Sequence, residues 1–291
     1  MYSVISHDAG EAQILSSWCK QKKINANYSL TGPAIKIFHS KLGKIKNLSY
    51  KKSIDLSKIV ICGTGTASKI QRKAIFYAKE KNKKTISWLE HWVNFKERFY
   101  YKKKYFIPDE IWVNDSYAKN QALKLFPNIK IKLKKNPFLS ELKKKIKIKK
   151  NKKIKNILYL SGIFYNFIKN SKLDKRIISL EKKSLLYFLS NIKNLKIKIN
   201  SIRIRYHPTE KYFFYRENLN KYKITVSKNS QLIEDLNWAD LIIGANSMGI
   251  YLCKMLNLKV YSSLPYNLSK SIIPLKTLKH ISDLIYNSND S

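Results

Sequence analysis

The sequence predicts an α/β protein made of two doubly wound, Rossmann-like domains facing a central cleft, and three observations carry that prediction. Short apolar strand patterns alternate with helical stretches along the whole chain, which is how parallel sheets covered by helices read. The alternation breaks at a lysine-dominated segment and then starts again. The chain has 291 residues, 44% of them hydrophobic, which exceeds one ordinary domain and suffices for two cores. The expected division is a first domain over 1–141, a Lys-rich linker over 142–155 and a second domain over 156–291, because a run of like charges reads as a solvated boundary.

Each element of the first half has a local reason. Tyr2–Ile5 is an apolar strand, followed by the turn His7-Asp8-Ala9-Gly10 and a helix with Ala12, Leu15 and Trp18 near one face. Tyr28–Leu30 enters Thr31-Gly32-Pro33, and Pro33 suits the first turn of a helix through Phe38. Lys58–Cys62 is a buried-type strand running into Gly63-Thr64-Gly65-Thr66-Ala67-Ser68 and a helix to about Asn82. Thr85–Trp88 and Glu110–Val113 are further strands, the second leading to a helix over Ser116–Phe126. In the second half Ile157–Leu160, Ile202–Tyr206, Lys223–Val226, Asp240–Gly244 and Leu258–Tyr261 read as strands. Helices are expected over Asp174–Asn191, Gln231–Trp238, from Ser247 to about Asn257, and near Leu275–Tyr286. Doubly wound sheets bind ligands at the carboxyl ends of their strands, so the chemistry is sought there.

Composition narrows the function classes. Lys and Arg number 58 against 19 Asp and Glu, a formal charge of +39. The excess is almost all Lys, set among abundant Ile and Asn, as an A+T-rich coding sequence would supply. Arg, which makes the bidentate contacts to bases and phosphates, is scarce, and this disfavours nucleic acid as the partner. A solvated lysine surface, with attraction to an anionic membrane face or a polyanionic substrate, fits better. No apolar run approaches the roughly 18 residues that span a bilayer. The three Cys stand far apart without CxxC spacing, so neither a disulfide framework nor a structural zinc site is expected. With no visible leader, a cytoplasmic protein is expected, at most peripheral at the inner face of the membrane.

Five segments concentrate chemistry at strand ends. In the first, Asp8 faces either a helix N-terminus that it caps or a substrate for which it is the base; His7 and Gly10 flank it. The second, Gly63–Ser68, matches neither a Walker A loop nor GxGxxG, and reads as a tight turn with a hydroxyl cap or as a phosphate cradle. The third gathers Glu90, His91, Trp92 and Arg98, as an aromatic lid or as an acceptor and sugar pocket with Arg98 contacting an anion. The last two are His207-Pro208-Thr209-Glu210 and Asn246-Ser247-Met248-Gly249, where a His, small residues and a helix start can hold a phosphate. Neither a DxD motif nor a carboxylate cluster suited to Mg²⁺ is seen, so no metal and no cofactor beyond the substrate itself are expected.

On those residues the chain resembles GT-B glycosyltransferases, and more narrowly bacterial sialyltransferase-like enzymes that use CMP-activated nonulosonic acids. The resemblance implies Asp8 as base, His207 as phosphate ligand and general acid, and Ser247 as a second phosphate contact. It places Pro208, Glu210, Asn246, Met248 and Gly249 around the donor nucleotide, and His7, Gly10, Glu90, His91, Trp92 and Arg98 around the acceptor. The family turn carries two acids before its Gly, whereas this chain reads His7-Asp8-Ala9-Gly10, and Met248 stands where a second hydroxyl would follow Ser247. The activity implied is a metal-independent sugar transfer from a nucleotide-sugar to a glycan or lipid-linked acceptor in surface glycan biosynthesis. Two alternatives share the architecture: a nucleotide-sugar epimerase of the UDP-N-acetylglucosamine 2-epimerase type, and a glycan-assembly or binding protein that has lost the base.

Overall fold

The computed structural model describes residues 1–147, 154–162, 175–195, 197–206, 216–229, 231–245, 247–265, 274 and 278–286, with the backbone alone at 175–180 and 216–218. The chain divides into two compact units, Met1–Glu141 and Leu142–Ser291.

The strands of the first unit are β1 (Tyr2–Ser6), β2 (Ala26–Leu30), β3 (Ile59–Gly63), β4 (Lys84–Leu89), a hairpin of β5 (Tyr100–Tyr101) and β6 (Lys104–Tyr105), β7 (Glu110–Val113) and β8 (Lys130–Leu133). Apart from the hairpin they form one parallel sheet in the order β2-β1-β3-β4-β7-β8. Val4, Ile5, Val60, Ile61 and Cys62 are wholly buried, as expected where a parallel sheet is covered on both faces and its strands run continuously apolar. The helices are α1 (Ala9–Lys22), α2 (Pro33–Leu42), α3 (Tyr50–Asp55), α4 (Ile70–Glu80), α5 (Ser116–Leu125) and α6 (Pro137–Lys145). Ala12, Leu15 and Trp18 of α1 are buried as their spacing predicts. Trp18 meets Trp88 and Trp112 edge-on at 6.4 and 5.5 Å, the arrangement aromatic quadrupoles favour.

From β1 the chain winds outward to β2, then returns to place β3 on β1's other side. The order therefore reverses between β1 and β3, and the crevice outside their carboxyl ends is where such a sheet accepts a ligand.

The second unit repeats the plan with β9 (Asn156–Leu160), β10 (Ser201–Arg205), β11 (Thr225–Val226), β12 (Leu241–Gly244), β13 (Val260–Ser262) and β14 (Lys279–His280). They form a parallel sheet ordered β11-β10-β9-β12-β13-β14, so the reversal lies between β9 and β12. Its described helices are α7 (Lys175–Ser190), α8 (Arg216–Lys221), α9 (Leu232–Trp238), α10 (Met248–Met255) and α11 (Asp283–Tyr286). Tyr159 stacks on Phe188 at 5.7 Å inside a core completed by Ile157, Leu185, Ile204 and Ile243.

Several elements differ from expectation. The helix after Gly63–Ser68 begins at Ile70, where Ser68 Oγ accepts from the Ile70 amide at 3.1 Å, and ends at Glu80 and not at about Asn82. Residues 142–145 belong to α6, so the start of the Lys-rich segment is helical; residues 148–153 lie outside the described residues. The short α3, the edge strand β8, the hairpin, α8 and β14 go beyond the sequence reading.

Candidate functional site

Four connections of the first sheet converge at its reversal point. The β1–α1 turn supplies His7 and Asp8, with Glu11 in the first turn of the helix. The β2–α2 turn supplies Thr31 and Gly32, the β3–α4 segment Thr64, Gly65 and Gln71, and the long connection after β4 supplies Glu90 and Arg98.

Glu11 is 1% exposed and receives five donors. Its Oε1 accepts from Ser6 Oγ (3.1 Å), His7 N (2.6 Å), Asp8 N (3.1 Å) and Gln71 Nε2 (2.6 Å), and its Oε2 accepts from Gly65 N (2.7 Å). The carboxyl is pushed up to about 8 by burial and by the neighbouring Asp8 and Glu90, with the His7 and Gly65 amides pulling the other way. The reach back to the Asp8 amide is half of a capping box. The rest of the side chain fastens α1 to the β3–α4 loop.

Asp8 sits one shell further out. It is the N-cap of α1, with φ −78° and ψ 150°, and its side chain is 23% exposed. Its Oδ2 accepts from the Ala67 amide at 3.3 Å, and its Oδ1 lies 3.8 Å from His7 Nε2. The other ring nitrogen of His7 hydrogen-bonds Thr31 Oγ1 at 2.8 Å. A Cβ on Gly63 would fall 2.1 Å from Glu11 Oε2, and one on Gly65 would fall 2.1 Å from Asp8 Oδ2. The two glycines thus seat carboxylates. The Gly65 amide, which a phosphate cradle would offer to a ligand, is taken by Glu11.

Glu90 completes a group of three carboxyls. Thr64 Oγ1 donates to its Oε2 at 2.9 Å, and Arg98 Nη1 lies 3.7 Å from its Oε1. Burial raises its proton affinity, opposed by Arg98 and the Thr64 hydroxyl. Arg98, 6% exposed, also donates from Nη1 to Thr64 O at 2.6 Å and from Nε to Val93 O at 3.0 Å. Its anion in this structure is Glu90. Trp92 is 6% exposed and its Nε1 donates to Asp115 Oδ2 at 2.8 Å, so the ring lies in the core of the loop and not on a stacking face. His91 accepts from the Trp92 amide through Nδ1 at 3.0 Å; burial, then Arg98, hold its imidazole down at about 3 and neutral at pH 7. Gly10 lies in the first turn of α1, with open space where a Cβ would stand.

The three carboxyls and His7 form the candidate site; Trp92, His91 and Arg98 build the loop that bears Glu90. Sequence reasoning singled out Asp8 and Glu90 but missed Glu11, Gln71 and Thr64 as partners. The spacing Asp8-Ala9-Gly10-Glu11 is itself a capping-box signature and was the available signal.

In the second unit, Ser247 stands at the N-terminus of α10, beyond the β12 end of the reversal point, and its Oγ accepts from the Ile250 amide at 3.3 Å. Met248 and Gly249 open the helix. A Cβ on Gly244 would sit 2.6 Å from Leu160 O, so glycine lets the ends of β9 and β12 approach. His207, Pro208, Glu210 and Asn246 lie outside the described residues. Nearby, the wholly buried Asp235 accepts from Arg203 Nη1 (3.0 Å), Arg205 Nη1 (2.6 Å), Ser227 Oγ (2.5 Å) and Asn229 Nδ2 (2.6 Å). Burial works against its ionisation, yet these donors hold its carboxyl below the ordinary range. This network ties β10 to α9. Among the described residues no group of His, Cys, Asp and Glu is arranged to hold a metal ion, and no helix is long and apolar enough to cross a membrane.

No family model matches the chain, and no curated protein sequence matches it. Among solved structures it is similar to a protein of Listeria monocytogenes, determined at 2.2 Å and provisionally named a UDP-N-acetylglucosamine 2-epimerase. The TM-score is 0.59 at 13% sequence identity, over 90% of this chain and 78% of the other. The likeness concerns the fold: an α/β chain of two Rossmann-like domains, each on a six-stranded parallel sheet, in the GT-B-like class.

Proposed function

We propose that the protein is an enzyme of nucleotide-sugar chemistry, and within that class an epimerase acting at carbon 2 of the sugar. The observation that carries this reading is the meeting of Asp8, Glu11 and Glu90 at the reversal point of the first sheet. Inverting a sugar carbon breaks its C–H bond on one face and remakes it on the other, which calls for a base and an acid with separated proton affinities. Three carboxyls in unequal surroundings can supply both. Asp8, partly exposed, is the group placed to take the proton, and Glu90 is the acid. Glu11 holds their two loops in place. The likeness to a protein provisionally named a UDP-N-acetylglucosamine 2-epimerase supports this substrate class. In this reading Ser247, Met248 and Gly249, with His207, Pro208, Glu210 and Asn246, hold the nucleotide.

A second reading keeps the fold and the donor but makes the reaction a sugar transfer, with CMP-activated nonulosonic acids among the donors. It is favoured by the difference in exposure: Glu11 and Glu90 are closely partnered, leaving Asp8 as a single base, and a transfer to an acceptor hydroxyl needs only one.

Incubation with UDP-N-acetylglucosamine and with CMP-activated nonulosonic acid in D₂O, followed by proton NMR, separates the readings. An epimerase loses the sugar H2 signal to solvent deuterium and yields the C2 epimer without an acceptor. A transferase releases nucleotide only when an acceptor is added, and the H2 signal of UDP-N-acetylglucosamine survives. No turnover, with no saturable binding of CMP, UDP or GDP, would overturn both and favour a glycan-binding protein.

A further inference from the structure

We propose that the β5–β6 hairpin docks the protein on an anionic lipid surface, whichever reaction the carboxyls perform. The hairpin belongs to the connection that also carries Glu90 and Arg98, between β4 and β7. Its register sets Tyr100 opposite Tyr105 and Tyr101 opposite Lys104. Side chains alternate between the faces of a strand, so Tyr101 lies on one face and the pair Tyr100 and Tyr105 on the other. Tyr101 packs 5.8 Å from Phe76 of α4, whose ring stands edge-on to Phe106 at 4.8 Å. The Phe106 amide donates to Phe99 O at 2.9 Å and closes the base. One face is therefore anchored, while Tyr100 and Tyr105 remain 43% and 55% exposed with their rings 5.0 Å apart.

The tip is unusual. Lys102 and Lys103 take φ of 49° and 61°, two successive left-handed residues in a turn that Asn-Gly makes most easily. Lys102 and Lys103 thus stand exposed at the tip in spite of the backbone cost, Lys102 with its ammonium 4.5 Å over the Phe76 ring, and Lys104 beside them is exposed. Beside the hairpin, Lys96, Tyr105, Ile107, Leu125 and Phe126 line a hollow of about 290 Å³. From residue 96 to 105 the only acid is Glu97. Outward tyrosines beside an apolar hollow, flanked by lysines, match a lipid interface: phenol rings settle at headgroup level and ammonium groups meet anionic phosphates. A soluble polyanion would engage the lysines alone; the two rings, tilted 54° to each other, share no plane on which a sugar would stack.

The test is co-sedimentation of the full chain with vesicles of phosphatidylcholine, with and without phosphatidylglycerol, at about 0.15 M salt. Lys102→Asn/Lys103→Gly removes the tip charges while easing the turn. Tyr100→Ser/Tyr105→Ser leaves the net charge untouched. Lys20→Gln/Lys22→Gln, at the far end of α1, is the control. The wild type should bind only the anionic vesicles. The lysine pair should weaken binding roughly 25-fold, about fivefold per charge, the tyrosine pair roughly tenfold, and the control less than about threefold. Equal losses in hairpin and control variants would show a diffuse lysine surface and overturn the proposal. So would no vesicle binding by the wild type, or hairpin losses seen only with a soluble acidic polysaccharide.

Discussion

Gly63 and Gly65 stand two residues apart at the end of β3, and each is opposed by a carboxylate where its side chain would be. This gives substitution there a sign that composition cannot give. Gly65→Ala would drive a methyl group against Asp8 Oδ2, a 2.1 Å approach that something must relieve. The expected cost is about 1–3 kcal/mol in chemical denaturation, and since the relief moves Asp8, turnover should fall as well. Gly10→Ala is the matched contrast: the added methyl meets nothing, and alanine suits a helix, so a gain of about 0.5–1 kcal/mol is expected. If Gly65→Ala proved neutral in both stability and turnover, Gly65 would not be the seat of the Asp8 carboxylate.

At the scale of elements, Glu11 is the fastening between the β1–α1 turn and the β3–α4 loop, and its burial makes that fastening sensitive to pH. Its carboxyl holds a proton up to about 8 in the folded chain, against 4.5 for an ordinary glutamate. The folded state therefore binds the proton more tightly than the unfolded state does. The stability contributed is complete below about 4.5 and drains away as pH rises towards 8. Thermal unfolding of wild type and Glu11→Gln across pH 5–9 should show the wild-type Tm falling relative to the variant as pH rises. A constant offset would mean that Glu11 is ionised throughout. The same scale shows what the sequence made legible. Strands buried on both faces, such as Ile59–Gly63, announce themselves by an unbroken apolar run. The edge strand Lys130–Leu133 alternates lysine with apolar residues and has little burial to betray it. The hairpin turn lacks the Asn-Gly signal, because lysines occupy its left-handed positions. Asp8 was visible as a polar residue on a turn. Glu11, three residues on and already helical, carries no sequence signal of the Gln71 of α4 that the fold brings onto it. Trp92 and Arg98 read equally as an aromatic lid packed on its own domain and as ligand contacts, and in the structure the loop itself uses them.

For the whole molecule, both sheets reverse their winding once, and the candidate residues of each unit fall at that reversal: Asp8, Glu11 and Glu90 in the first, Ser247 in the second. The proposed reading assigns proton chemistry to the first unit and nucleotide recognition to the second, so a change at Asp8 should separate the two. The measurement is kcat and nucleotide Kd for Asp8→Asn with the best nucleotide-sugar donor. Asn serves as an N-cap as well as Asp does and can still accept from the Ala67 amide, so the fold is retained and only basicity is lost. The account predicts a Kd within a few-fold of wild type and a kcat lower by roughly 10²–10⁴. An unchanged kcat would contradict it and leave Asp8 as a helix cap.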